Sequence, residues 1–382
     1  MTRRRLRNAL SILAAAGLAA VLASPPVSAI ETTAREAFLI DATTGRVLLD
    51  KNSDVSMPPA SMSKIMTIYM VFERLKDERL ALDDELLVSE KAWRMGGSKM
   101  FVEVGTTVRV EDLLRGVIVQ SGNDACIVLA EGLSGTEEAF AEEMTRKARE
   151  IGLTGSSFAN ATGWPDPNQR MTARDLATLA RRIIEDFPEY YHYYAETEFT
   201  YGGIRQMNRN PLLYKSLGAD GLKTGHTEEA GYGLTASVVQ GDRRIILVLN
   251  GLGSQKARSE ESARLIGWAL REYDNYTLFK PGETVDEAPV WLGEVANVPL
   301  VMPEGVTVTL SRKARRDMRV TVVYDAPIPA PLRTGQEVAK LVVNAPGEAP
   351  VEFPLMAGAD VERLGIFGRV TTSLQYLVFG AQ

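Results

Sequence analysis

The 382-residue chain has one cysteine, Cys126, and two histidines, His192 and His226. A lone cysteine forms no intramolecular disulfide and no Cys-based zinc site. Two histidines exclude multi-histidine metal centres and the H-E-x-x-H zinc helix. No metal or cofactor is therefore expected, and a Ser-His-Asp arrangement would have to use one of these two rings. Positive charge is also in deficit, with 43 Lys and Arg against 49 Asp and Glu. The net charge of -6 leaves no bulk basic field for nucleic acid. Low-complexity tracts and internal repeats are absent. What remains is an ordinary globular composition, 45% hydrophobic and 24% charged, long enough for two or three domains.

The two ends read as addresses. Met1-Thr2-Arg3-Arg4-Arg5-Leu6-Arg7 is followed by an apolar run from Leu10 to Ala23 and then by Ser24-Pro25-Pro26-Val27-Ser28-Ala29. A basic start, a short apolar core and a small-residue site describe a secretory leader cleaved near Ala29. It holds four Arg and no acid, so its loss takes the net charge from -6 to -10. At the other end, Ile366, Phe367, Val370, Leu374, Leu377 and Val378 recur at helical spacing, in a segment from Arg363 to Gln382 with two Arg and no acid. It is too short and polar to span a bilayer. It fits an amphipathic helix in a membrane interface, the alternative being a helix docked on its own domain.

Between the ends, Phe38-Leu39-Ile40 and Val47-Leu48-Leu49 flank a turn and predict a hairpin. Apolar spacing predicts helices from Ser61 and over 110–119, 124–133, 137–151, 172–185 and 259–273. Residues 220–225, 232–239 and 244–249 read as strands separated by turn residues, the second turn made tight by Gly241-Asp242. Strands open, helices fill the middle, and strands with a helix close. This is an α+β domain whose terminal segments share one antiparallel sheet. After Lys280-Pro281-Gly282 the pattern alternates with frequent Pro and Gly, a small all-β module. The expected division is a leader at 1–29, a catalytic domain at 30–282, an all-β domain at 283–362 and a tail helix at 363–382.

Three short motifs carry chemistry. In Ser61-Met62-Ser63-Lys64 the serine and lysine share a helix face, and a lysine of lowered pKa can activate a serine. Ser121-Gly122-Asn123 precedes a helix and sets a hydroxyl and an amide around a tight glycine. Lys223-Thr224-Gly225-His226 opens the strand block, where a glycine lets a ligand lie close to a strand that can bind an extended peptide. Each alone is also compatible with a capping serine, a plain loop and a solvated strand lysine.

S-x-x-K, S-D-N and K-T-G in this order form the signature of class A β-lactamases and penicillin-binding proteins, and S-G-N in place of S-D-N points away from the class A β-lactamases. With S-G-N in second place, and with Pro59–Thr67, Ser121–Cys126, Asp220–Thr227, Asn208-Arg209-Asn210 and Gly231-Tyr232, the chain resembles the low-molecular-mass penicillin-binding D-alanyl-D-alanine carboxypeptidases. The resemblance implies a β-lactamase/transpeptidase-like catalytic fold. It implies removal of the terminal D-Ala from peptidoglycan pentapeptide, and covalent inhibition by β-lactams. Carried residue by residue, it makes Ser61 the nucleophile, Lys64 its base with Lys223 lowering the Lys64 pKa, and Ser121 the proton relay. Asn123 would hold Lys64 and the substrate amide. The backbone N–H groups of Ser61 and His226 would form the oxyanion hole beside Gly225. Thr224, Arg258 and Arg209 would meet the terminal carboxylate, Arg258 being matched through Ala257-Arg258-Ser259-Glu260-Glu261-Ser262. The implied location is the periplasmic face of the cytoplasmic membrane, reached by secretion, with the tail helix on the membrane surface.

Three other readings stay open. A serine β-lactamase shares the acylation, but a Glu-x-x-Leu-Asn deacylation motif is missing from the middle of the chain. A D,D-endopeptidase shares all three motifs. A membrane-bound β-lactam or peptidoglycan receptor would need no turnover. His192, within Tyr190-Tyr191-His192-Tyr193-Tyr194, reads as packing, and Cys126 as a buried small hydrophobe.

Overall fold

The computed structural model describes residues 30–379; the expected leader lies outside the described residues. Five antiparallel strands form the main sheet, in the order Val47–Lys51, Glu36–Asp41, Arg243–Leu252, Gly231–Gln240, Ala219–Thr227. The first and last segments of the larger unit therefore share one sheet, as the strand–helix–strand order predicts.

Helices cover both faces of this sheet. Side chains alternate along a strand. Phe38, Ile40, Ile246 and Val248 face the helices of the middle segment. Ala37, Leu39, Leu247 and Leu249 face Leu265, Ile266 and Ala269 of the helix Gln255–Glu272. Burial on both sides is why 245–249 reads as an unbroken apolar run. The helix starts follow local chemistry. Thr136 accepts from Ala139 N at 3.1 Å, Thr172 from Asp175 N at 3.0 Å, and Ser254 from Ala257 N at 3.0 Å, each satisfying a free first-turn donor.

A hairpin of Glu198–Tyr201 and Ile204–Met207 was not expected from the apolar pattern. Its two-residue turn is Gly202-Gly203, both at positive φ, which glycine adopts without penalty.

The second unit is all-β. A six-stranded sheet runs Arg319–Val323, Glu337–Asn344, Val351–Ala357, Asn297–Val301, Thr284–Trp291, Ile328–Pro329. A two-stranded ribbon pairs Tyr273–Phe279 with Val306–Ser311. Strand pairing of this unit thus begins at Tyr273, upstream of the expected boundary at 283, because the chain passes from the helix Gln255–Glu272 straight into a strand. Ala288, Leu300, Leu341 and Leu355 centre its own core.

The two units meet at a polar joint. Fully buried Asp41 accepts from Arg243 Nε at 2.6 Å and from Asn275 Nδ2 at 3.2 Å. Arg243 Nη1 donates onward to Tyr273 O at 2.7 Å, and Arg46 pairs with Glu348. Ile366–Phe379 is a helix, as expected. Its exposed face carries Ile366, Phe367, Val370 and Leu374, with Phe367 89% exposed. Arg363 and Leu364 do not belong to that tail. Arg363 bridges to Gly293, and Leu364 N donates to Leu292 O at 2.9 Å, so the tail starts after them.

Candidate active site

Ser61 sits in a 3-10 turn, Ala60–Ser63, that feeds the helix Lys64–Lys76. The sequence spacing predicts an α-helical face here. A 3-10 turn has three residues per turn, so positions three apart eclipse and the two side chains align more closely. Lys64 Nζ lies 2.9 Å from Ser61 Oγ. Lys64 is wholly buried in the helix, and its Nζ also donates to Asn123 Oδ1 at 2.7 Å and to the Thr162 carbonyl.

Burial pulls the Lys64 pKa down to about 8; the Arg209 charge lowers it further, while Asp124 and Glu137 oppose. A neutral amine keeps two N–H donors and one lone pair. With Asn123 and Thr162 taking the two donors, the lone pair faces Ser61 Oγ. This arrangement can remove a hydroxyl proton without a histidine.

Ser121 is 2% exposed and has φ 61°, a left-handed value uncommon outside glycine. It precedes the helix Asn123–Ser134, which starts with Asn123 itself. Asn123 is held on both sides: its N donates to Ser98 O at 2.7 Å and its Nδ2 to Gly96 O at 2.9 Å.

Lys223, Thr224, Gly225 and His226 lie on the strand Ala219–Thr227, which is at the sheet edge. Its peptide groups alternately face the neighbouring strand and the open side. A Cβ on Gly225 would stand 2.9 Å from Pro59 O, 3.1 Å from Met62 Cγ and 3.2 Å from Ala60 Cβ, so glycine lets this edge close on the serine turn. Gly225→Val is expected to cost about 1–3 kcal/mol of stability by overpacking and to slow β-lactam acylation at least tenfold (roughly, for ångström-scale misplacement). Thermal unfolding and labelled-penicillin kinetics check this; wild-type acylation would show that the close approach is dispensable.

Lys223 is 3% exposed, and its Nζ donates to Thr224 O at 3.2 Å. Burial and the charges of Lys64, Arg209 and Arg258 push its pKa well below the ordinary lysine value. Burial leads at both lysines, their mutual repulsion disfavours charging both at once, and Arg209 adds to the cationic crowding. Arg258 is 5% exposed and stands over the Tyr232 ring at 5.8 Å, with its Nε lacking a hydrogen-bond partner. Burial brings its pKa down to about 10, helped by Arg209. Arg209 is exposed and donates to Ser98 Oγ. Among the described residues, Lys223, Arg209 and Arg258 form no ion pair with a carboxylate. Such a cluster is arranged for an anionic ligand.

Residues 20–253 match the family described as D-alanyl-D-alanine carboxypeptidase. The chain belongs to that family. Residues 273–363 match the C-terminal domain of penicillin-binding protein 5. The chain is 40% identical over 359 residues to the D-alanyl-D-alanine carboxypeptidase DacC of Escherichia coli strain K12, covering 92% of this chain and 90% of that protein. The structure of penicillin-binding protein 5 from Haemophilus influenzae superposes with a TM-score of 0.78 at 36% identity, over 89% of this chain and 99% of that one. Penicillin-binding protein D2 from Listeria monocytogenes, solved in its ampicillin-bound form, gives a TM-score of 0.58 at 28% identity, over 62% of this chain and 97% of that one.

Several supports of this carboxypeptidase site lie outside the three motifs. Asn160 Oδ1 accepts from the backbone N of Thr162 at 3.2 Å, Gly163 at 2.8 Å and Trp164 at 3.1 Å, shaping the turn that offers the Thr162 carbonyl to Lys64. Buried Asp124 accepts from Met100 N at 2.9 Å, Phe101 N at 2.9 Å, Val102 N at 3.3 Å and Ala125 N at 3.0 Å, fixing the segment that carries Ser98. Asn160-Ala161-Thr162-Gly163 has the composition of an Asx turn, a signal that could have flagged it. The two histidines have no catalytic geometry. His226 is exposed and stacks on Tyr232 with centroids 3.9 Å apart. His192 is exposed against Tyr193, rather than packed inside like its tyrosine neighbours. Cys126 is buried, and burial pushes its pKa up to about 12, which leaves an inert thiol.

Proposed function

We propose that the enzyme hydrolyses the terminal D-Ala-D-Ala bond of peptidoglycan pentapeptide through an ester on Ser61, and that β-lactams are trapped at the same atom. The observation carrying this reading is the Lys64 amine, with two hydrogen-bond acceptors engaged and its third direction on Ser61 Oγ.

Lys64 takes the Ser61 proton as Oγ attacks the carbonyl of the penultimate D-Ala. Negative charge on the carbonyl oxygen is received by the N–H groups of Ser61 and His226. The C–N bond then breaks, and the leaving amine takes a proton relayed through Ser121. Water hydrolyses the ester and restores Ser61. Asn123 holds Lys64 and the substrate amide. The peptide lies along the open edge at Gly225, and its terminal carboxylate meets Lys223, Thr224, Arg258 and Arg209. Binding that carboxylate supplies the counter-charge that Lys223 lacks and favours its ammonium form. Release of D-Ala from a soluble diacyl-L-Lys-D-Ala-D-Ala peptide tests the reading. Turnover with one D-Ala freed per peptide is expected; cleavage of β-lactam without D-Ala release would refute it.

Residues 1–29 act as a cleaved leader for export to the periplasm, 30–272 as the catalytic part, 273–363 as a spacer, and the tail as a surface anchor. Support for the anchor comes from the exposed Ile366, Phe367, Val370 and Leu374. Among the described residues, no helix is long and apolar enough to cross a membrane. The tail would therefore lie along the surface, held by its apolar face. Deleting 366–382 is expected to release the enzyme from vesicles with soluble-peptide turnover unchanged. Equal sedimentation of both forms would favour a tail that packs on protein.

A further inference from the structure

Arg312–Arg319 packs five cations and one acid, Asp317, into eight residues of a chain that is otherwise acidic. The segment is a short helix, Arg312–Arg316, running into the edge strand Arg319–Val323. It is built to hold its cations outward. Ser311 Oγ accepts from Ala314 N at 3.0 Å to cap the helix, and Ala314 is the buried anchor. Arg312, Lys313, Arg315, Arg316 and Arg319 are all exposed. Only Arg312 reaches a carboxylate among the described residues, Asp274 at 3.9 Å. Arg315 stands over the Tyr276 ring at 5.2 Å. Lys313, Arg316 and Arg319 form no ion pair among the described residues.

The patch lies at the end of the small unit that abuts the catalytic unit. Ser311 pairs with Tyr273, and Arg319 pairs with Asn344 near the turn whose Glu348 meets Arg46. The tail leaves from the other end. Val351–Ala357 runs away from that turn toward Val361 and Arg363, which bridge to Leu332 and Gly293. Seven residues of strand span roughly 20 Å. A membrane seated on the tail is therefore held off from the cations, which lie exposed at the end of the small unit nearer the catalytic unit.

We infer that this patch is a docking surface for the peptidoglycan polymer, whose stem peptides carry many free carboxylates. The inference rests on the carboxypeptidase reading and adds a second, non-catalytic contact to it. The rest of the chain repels a polyanion, so an uncompensated cationic face fixes which side of the small unit meets the wall. A repeating polyanion engages several such charges at once, and screening weakens the attraction as salt rises.

Full-length protein is sedimented with purified peptidoglycan sacculi across a salt series, alongside the triple variant Lys313→Glu, Arg316→Glu, Arg319→Glu. Thermal unfolding and soluble-peptide turnover of the variant are expected to equal wild type. Sacculus binding at low salt is expected to fall roughly tenfold, with its salt dependence lost. Unchanged sacculus binding overturns the proposal. So does a loss confined to phosphatidylglycerol vesicles, which would assign the patch to lipid. Failure of soluble-peptide turnover in both proteins would instead defeat the carboxypeptidase reading, whatever the sacculi show.

Discussion

Replacing Ser61 by alanine is expected to lower D-Ala release by roughly 10⁴–10⁶-fold and to abolish covalent penicillin labelling. The size follows from the site's economy. One hydroxyl lies 2.9 Å from the Lys64 amine. Without Oγ no ester forms, and what remains is binding by the cationic cluster and the edge strand, which alone gives little hydrolysis. The fold should be unaffected. Ser61 makes no capping bond at its turn, and its Oγ is partnered only by Lys64 among the described residues. Unchanged thermal unfolding beside lost labelling separates chemistry from stability. A stable adduct on the variant would contradict the assignment.

Lys64→Arg is the second large effect, about 10²–10⁴-fold in acylation, the usual range for losing a general base. Charge is kept, but a guanidinium does not release its proton at working pH. In the native enzyme burial brings the Lys64 pKa to about 8, below the ordinary lysine value. The reactive neutral form is therefore present above about 8 and lost as pH falls through it. The wild-type acylation rate should decline about tenfold per pH unit well below that point. The variant should lack this limb. Stopped-flow labelling with a chromogenic β-lactam from pH 6 to 9 measures both. Acylation of Lys64→Arg near the wild-type rate would make Lys64 an electrostatic support.

The parts of the site written in side chains three residues apart, or in a Lys-Thr-Gly run, were legible in the sequence. So was the sheet, because the strands read at 38–40 and 244–249 hold unbroken apolar runs beside turn residues. The Thr162 contribution was not legible, since a carbonyl has no residue identity. Its position depends on Asn160 folding the turn and on Gly163 meeting the Ala60 carbonyl, a long-range approach with no local pattern. Asp124 hid for a similar reason. Next to Ser121-Gly122-Asn123 it reads as a helix-start acid, whereas its four backbone partners include three from residues 100–102. The charge of Arg209 at Lys64 was not legible, because Arg209 is brought in by the unexpected hairpin over 198–207. The start of the all-β unit was missed because a strand that follows a helix without a turn gives no boundary signal.

The most direct measurement is mass spectrometry of the full-length protein quenched during turnover of diacyl-L-Lys-D-Ala-D-Ala, and separately after penicillin, with fragmentation of the modified peptide. The account predicts one acyl group in each case, located on Ser61. The peptide-derived adduct should lack the terminal D-Ala and decay as free product appears. An adduct on Ser63 or Ser121, or D-Ala release with Ser61 unmodified under both quenches, would contradict it.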